Sequence, residues 1–165
     1  MTMHESPVGA SVEWFTPPEV FDRLGIDFAM DVATVPGGVP WVPAAAHIDK
    51  TTDGLSVPWS GRVWCNPPYG RVGARFMERM ADHANGMLLV AARTETRAFQ
   101  QAAGQAWSVC FLRERLHFIR PDGFQGRAGF GSALLAFGPD CHRALMAARM
   151  GWVIEATDLV LGRAA

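Results

Sequence analysis

Four consecutive residues, Asn66-Pro67-Pro68-Tyr69, carry the clearest chemistry in the chain. The Asn66 side-chain oxygen and the Pro67 carbonyl are two acceptors, and proline fixes φ, so the backbone between them has little freedom to let them drift apart. An exocyclic amino group offers two N–H donors. Gripping both hydrogens draws the nitrogen toward tetrahedral geometry and localises its lone pair, which turns a poor nucleophile into a usable one without a strong base. Tyr69 adds a flat aromatic face on which a planar base can stack, an interaction worth about 1–3 kcal/mol per base. The bland alternative is a proline-rich turn with a buried tyrosine. At average residue frequencies, the chance of meeting this tetrapeptide in a chain of such length is on the order of one in a thousand.

Such a loop needs elements to hold it. Arg62 to Cys65 reads as a short apolar strand through Val63 and Trp64, and the two prolines end it because they cannot continue a hydrogen-bonded ladder. Ligands of open α/β sheets bind beyond the carboxyl ends of strands, where this loop falls. Val72 to Asn85 has a helical period through Val72, Phe76, Met80 and Ala84. Upstream, Thr16 before Pro17, Pro18 and Glu19 predicts a helix capped by the Thr16 hydroxyl and closed by Gly25. Asp27 to Val32 is strand-like. Thr34 to Pro58 contains Pro36, Pro40, Pro43 and Pro58 with the Gly37-Gly38 pair, and reads as a passage without regular structure.

Downstream, Met87 to Ala92 is a buried strand, Thr94 caps a helix through Gln105, and Trp107 to Leu112 is a further strand. Leu116 to Ile119 and Ala133 to Phe137 form a hairpin with a long glycine-rich connection, followed by a helix over Cys141 to Met150 and a strand over Trp152 to Ala156. Strands alternating with helices predict an α/β sandwich around a mostly parallel sheet. The whole of 1–165 is expected to be a single domain, with 1–12 a flexible N-terminus and 157–165 a tail.

Composition narrows the setting. Of the 165 residues 49% are hydrophobic and 19% charged, which suits one compact domain. The net charge of −1 hides a partition: residues 1–61 hold two basic and eight acidic side chains, a balance of −6, while 62–127 hold ten arginines against five acids, a balance of +5. No apolar run reaches membrane-spanning length, and the N-terminus lacks a basic-then-apolar leader, so no membrane partner and a cytoplasmic location are expected. Cys65, Cys110 and Cys141 are odd in number and widely spaced, the pattern of reduced thiols and not of a disulfide frame or metal site. No metal is expected.

The order of motifs resembles the adenine-N6 DNA methyltransferases that use S-adenosylmethionine, in particular their small phage and prophage (Dam-like) group. Glu13-Trp14-Phe15-Thr16-Pro17-Pro18 is similar to that family's opening motif, and Asp53-Gly54-Leu55 with Trp59 to its middle one. Arg62 to Gly70 resembles its catalytic stretch, and Leu89 to Phe99 the segment after it. The resemblance implies a Rossmann-like class I methyltransferase sandwich, abbreviated and without a separate target-recognition domain. It implies S-adenosylmethionine as cofactor, and double-stranded DNA as partner in a bacterial or phage-infected cell. It also implies that Asn66 and Pro67 hold the target amino group, that Pro68 shapes the same catalytic loop, and that Tyr69 stacks on a flipped-out adenine whose N6 takes the methyl group in line.

The cofactor set it implies is Trp14, Phe15, Thr16, Pro17, Asp31, Asp53, Leu55 and Asn66. Thr16 and Pro17 would meet the amino-acid end beside a helix N-terminus, Asp53 the adenine amino group, and Leu55 the ring. One departure stands out: the chain reads Asp31-Val32-Ala33-Thr34 where the broad class has a Gly-x-Gly turn and the phage group Asp-Pro. Only 21 residues separate Asp31 from Asp53, so the cofactor site must be abbreviated.

The Asn-Pro-Pro-Tyr chemistry also serves cytosine N4, a guanine in RNA or a protein glutamine, and a non-catalytic module that keeps the pocket is a rival of another class. The opening motif upstream of the first strand favours DNA adenine, and intact Asn66 and Asp53 oppose loss of catalysis. Arg93, Thr94, Arg97 and Arg115 are the candidate DNA contacts, because they follow the catalytic strand and arginine grips phosphate in a bidentate fork. Cys65 as a nucleophile and Gly129-Phe130-Gly131-Ser132 as a nucleotide loop are disfavoured, the first because it sits inside a strand and the second because it precedes one. Specificity is expected to be short or relaxed, or to depend on a second copy or a partner subunit.

Overall fold

The computed structural model describes residues 13–155; the expected flexible N-terminus and C-terminal tail lie outside that range. Thirteen elements follow in chain order among the described residues: α1 (Pro18–Leu24), β1 (Phe28–Thr34), β2 (Ala44–Asp49), β3 (Val63–Cys65), α2 (Arg71–His83), β4 (Gly86–Ala91), α3 (Arg97–Gln105), β5 (Ser108–Leu112), β6 (His117–Ile119), β7 (Gln125–Arg127), β8 (Ser132–Phe137), α4 (Pro139–Ala148) and β9 (Gly151–Glu155). Seven strands form one sheet in the order β2-β1-β3-β4-β8-β5-β9, and β6 and β7 form a separate two-stranded ribbon. The sheet is mixed. The pairs β2/β1, β1/β3 and β3/β4 are parallel, and β4/β8, β8/β5 and β5/β9 are antiparallel.

The core lies on both faces of this sheet. Side chains of a strand alternate in direction, so Met87 and Leu89 of β4 join Leu134 and Ala136 of β8 in a cluster with α1 and α4. Leu88, Val90, Ala133, Leu135 and Phe137 point the other way, into a cluster with α2 and α3. Trp64 anchors the first cluster: it is 1% exposed and meets Phe21 edge-on at 4.7 Å between ring centres, with Phe28 at 5.5 Å. Such aromatic pairs add about 0.5–1.5 kcal/mol each beyond area burial. They fix the strand that delivers Asn66.

Four expectations are corrected. Ala44–Asp49, inside the passage expected to be irregular, is the edge strand β2; it is half-exposed and alanine-rich, so neither apolar alternation nor β propensity marked it, and its ladder with β1 supplies the order instead. Leu116–Ile119 does not pair with Ala133–Phe137. His117–Ile119 pairs with Gln125–Arg127, while β8 inserts between β4 and β5, where all six of its residues are buried. That insertion also makes half the strand pairs antiparallel. Finally, neither threonine expected to cap a helix does so: Pro17 stands at the N-cap of α1 with no side-chain bond, and Thr96, not Thr94, caps α3 by accepting from Phe99 N at 3.3 Å.

Candidate active site

Strand order reverses at β1. The chain runs from β1 outward to β2 and then crosses to β3 on the other flank, so the carboxyl ends of β1 and β3 border the crevice in which open α/β sheets bind ligands. A cavity of about 400 Å³ opens there, within the size range of small-molecule sites. Its walls include the segment Glu13–Thr16, the end of β1 from Asp31 to Thr34 with Val35 after it, Asp49, Lys50, Asp53 and Gly54, the loop Asn66–Tyr69, and Phe118 of β6.

The Asn66–Tyr69 loop is held from both sides. Pro67 is buried, whereas Pro68 and Tyr69 are exposed, Tyr69 to 71%. Gly73, in the first turn of α2, lies so close under the Pro68 carbonyl that a side chain there would collide with it. Asn66 Nδ2 donates to Thr16 Oγ1 at 3.2 Å and to the Trp14 carbonyl at 3.4 Å. A backbone carbonyl can only accept, so the nitrogen end of the amide must face Trp14 and Oδ1 points away from it. Thr16, expected to cap α1, therefore spends its hydroxyl on Asn66.

The segment that receives Asn66 is itself fixed. Phe15 and Ile119 exchange two backbone hydrogen bonds, at 2.7 and 3.0 Å. Trp41 Nε1 donates to the Thr16 carbonyl at 2.8 Å. The Trp14 indole packs flat on Gly126 of β7, where any Cβ would overlap the ring. The small ribbon β6/β7 thus braces the opening motif against the pocket.

Carboxylates line the opposite wall. Asp31 is only 3% exposed, and burial pushes its carboxyl from 3.8 up to about 6, offset in part by the Ala33 N–H at 3.4 Å. Beside it, the buried Thr34 Oγ1 lies near enough to lower the Asp31 carboxyl slightly, yet makes no well-formed hydrogen bond among the described residues. Asp49, at the carboxyl end of β2, accepts from Thr51 N at 2.8 Å and Thr51 Oγ1 at 2.5 Å, which holds it below the usual carboxylate range. Lys50 Nζ pairs with Glu13 at 3.1 Å across the rim.

Asp53 has φ of 61° and turns the chain by accepting from Leu55 N at 3.0 Å. Gly54 packs directly against the Val32 carbonyl with no room for a Cβ. The loop carrying both is clamped to α2: Arg79 donates to the Leu55 and Val57 carbonyls and lies over Trp59 at 4.9 Å, and Trp59 Nε1 donates to the Gly54 carbonyl at 2.7 Å.

Of the residues singled out from sequence, Trp14, Phe15, Thr16, Asp31, Asp53, Asn66, Pro67, Pro68 and Tyr69 converge on this one cavity. Pro17 and Leu55 do not line it; Leu55 faces a shallow surface hollow beside Arg79 and His83. Arg93 lies near Tyr69: crowding raises the Tyr69 phenol above its usual value and the Arg93 charge lowers it part of the way back. Arg93 also covers the Phe130 ring at 4.6 Å. Thr94 and Arg97 are exposed close by in sequence, but Arg115 falls in a separate groove with Arg23, Arg113 and Arg149. Cys65 is fully buried, and desolvation with the nearby Asp31 charge pushes its thiol well up, so it is no nucleophile. Sequence reading passed over Asp49, Lys50 and Phe118. Asp49 was hidden with its strand, although an acid some 20 residues past the start of such a unit is a signal in its own right.

A family model described as DNA N-6-adenine-methyltransferase (Dam) matches residues 5–139. The chain belongs to this family. It is an adenine-specific DNA methyltransferase, and every residue lining the cavity falls inside the matched span. The Dam match ends as α4 begins, so most of α4 and all of β9 lie beyond it. No curated protein and no solved structure matches the chain. Among the described residues no helix is long and apolar enough to cross a membrane, and no group of three or more metal-ligating side chains occurs.

Proposed function

We propose that this Dam-family protein methylates adenine N6 in double-stranded DNA with S-adenosylmethionine as methyl donor, acting on an adenine turned out of the duplex. The observation that carries the reading is the amide of Asn66. Its nitrogen is tied to Trp14 and Thr16, which leaves Oδ1 free to act together with the Pro67 carbonyl as a pair of acceptors, and both residues line the cavity.

The cavity suits the cofactor's chemistry. Asp31, Asp49 and Asp53 are acceptors for a ligand rich in hydroxyl and amino hydrogens, and the buried Thr34 hydroxyl adds another polar group. Val32, Val39, Val42 and Phe76 offer an apolar surface for a planar ring. In this reading Asp49, at the end of β2, takes the ribose hydroxyls; Asp53 takes the adenine amino group; Asp31 and the Trp14–Phe15 segment face the rest of the molecule. Pro17 and Leu55 support that segment and the Asp53 loop from behind. S-adenosylmethionine supplies a methyl group activated by a positive sulfur.

Asn66 Oδ1 and the Pro67 carbonyl then accept the two N6 hydrogens, Pro68 limits the loop's movement, and Tyr69 stacks on the extruded base. Extrusion costs a few kcal/mol, which stacking of about 1–3 kcal/mol offsets in part. With its lone pair localised, N6 attacks the methyl carbon as the carbon–sulfur bond breaks, and the extra N6 proton leaves afterwards to water. Arg93 near Tyr69, the exposed Thr94 and Arg97 that follow it in sequence, and Arg115 in its separate groove are the proposed phosphate contacts. The architecture is read as an abbreviated Rossmann-like class I methyltransferase sandwich, a single domain acting on cytoplasmic DNA. A second copy or a partner subunit contributes to target choice if the chain's own contacts do not suffice.

Incubation with methyl-labelled S-adenosylmethionine and unmethylated duplex DNA, followed by nucleoside mass spectrometry, should yield N6-methyladenine. Label found only in N4-methylcytosine, RNA or protein would refute the reading.

A further inference from the structure

Thr16 is buried, with 3% of its surface exposed, yet its hydroxyl neither caps the helix that follows nor bonds its own backbone. It accepts instead from Asn66 Nδ2 at 3.2 Å, fifty positions along the chain. A primary amide can rotate by half a turn about its terminal bond and exchange oxygen for nitrogen. For Asn66 that exchange would be ruinous, since it would aim N–H donors at an amino group that is itself a donor. The Trp14 carbonyl opposes it, because it can only accept and so selects the nitrogen end; the Thr16 hydroxyl, able to donate or accept, accepts here and holds that end at a second point.

This two-point seat is rigid for independent reasons. The Thr16 carbonyl is held by Trp41 Nε1 at 2.8 Å, Phe15 is bonded through both its backbone groups to Ile119, and Trp14 lies against Gly126. From this geometry we propose that Thr16 is a positioning residue for methyl transfer: its hydroxyl, accepting beside the Trp14 carbonyl that selects the nitrogen end, holds the Asn66 amide in the orientation in which Oδ1 meets the target amine. The inference rests on the assignment of Asn66 as the residue that holds N6. It also assigns the Thr16 hydroxyl to Asn66 instead of to the amino-acid end of the cofactor, the role that motif resemblance implies for this position.

The test uses the full chain with Thr16→Val, which keeps the shape and removes the acceptor, Thr16→Ser, which restores it, and Asn66→Ala as reference. For Thr16→Val, kcat should fall roughly 10–100-fold, the scale of a mispositioned reacting group. Its calorimetric dissociation constant for S-adenosylmethionine should change by no more than about twofold, a shift of under 0.5 kcal/mol. Thr16→Ser should recover most of the rate. In ¹⁵N spectra, the Asn66 side-chain NH₂ pair, identified by its loss in Asn66→Ala, should exchange with solvent slowly in wild type and Thr16→Ser and faster in Thr16→Val. Wild-type kcat in Thr16→Val, failure of serine to rescue, or a large loss of cofactor affinity with kcat kept, would each overturn the orienting role. Undiminished methylation by Asn66→Ala would instead overturn the reading beneath it. Thermal melts of both Thr16 variants identify any that fail to fold, and in that case Thr16→Ser and the exchange measurement decide.

Discussion

Every strand-borne residue of the cavity wall comes from β1, β2, β3 or the short ribbon strand β6, while β8, β5 and β9 contribute none, although all six residues of β8 are buried. The difference follows from strand direction. In the parallel half, β2, β1 and β3 all end at one edge of the sheet, so residues just past them (Lys50, Asp53, Val35, Asn66) converge on one crevice. In the other half β8 and β9 run against their neighbours, and their ends alternate between edges. Parallel strands gather polar groups at one place; here the antiparallel β8 and the first half of β5 supply a buried slab behind them, with β9 as a half-exposed edge.

That division can be broken most forcefully at Asn66. Asn66→Ala should lower kcat roughly 10²–10³-fold, the scale of removing one preorganised polar group at a reacting centre. Cofactor affinity measured by calorimetry and the melting temperature should stay close to wild type. In the other half, Leu135→Ala should cost about 2–5 kcal/mol of stability by leaving a cavity in the core, read by chemical denaturation. Its kcat per folded molecule should be unaltered well below the melting temperature. A turnover loss comparable to that of Asn66→Ala would show that the halves are not separable.

A smaller effect sharpens the contrast within the parallel half itself. Burial raises the Asp31 carboxyl from 3.8 to about 6, so the folded state holds this proton more tightly than the unfolded chain does. Its contribution to stability is complete below about pH 4 and is lost as pH rises through about 6. The loss amounts to roughly 3 kcal/mol at most. Asp31→Asn should flatten this part of the stability–pH curve in denaturation experiments, whereas Leu135→Ala should lower the whole curve and keep its slope. An unchanged slope in Asp31→Asn would remove the buried charge from the account.

The loop Asn66–Tyr69 and the strand before it were legible because prolines, a short apolar run and a helical period are local signals. So were α2, β4 and β5, to within a residue or two at their ends. What escaped was decided by partners distant in sequence. β2 is strand because β1 lies beside it, and its alanines carry too little preference of their own. The partner of β8 could not be read from hydrophobicity, since a continuous apolar run fits a hairpin arm and a central strand equally well. Thr16 illustrates the same limit at the site: its surroundings in sequence spell a helix cap, and only the fold brings Asn66 close enough to claim the hydroxyl. The charge partition was visible from the start, and Asp31, Asp49 and Asp53 in the acidic stretch do meet in one wall.

The insertion of β8 has a consequence for the order in which the molecule can be made. β4 and β5 both leave the ribosome before β8, yet neither pairs with the other; the slot between them stays open until residues 132–137 emerge. Nearly all of the cavity lining is complete in sequence by Phe76, with Phe118 its last contributor, but the strand that closes the sheet behind it comes only afterwards. Contacts that span so much chain slow folding, so a chain whose exposed part ends just before residue 132 should hold every pocket-lining residue yet lack the buried strand that joins β4 to β5. Activity on the ribosome should therefore appear abruptly, when one buried strand arrives.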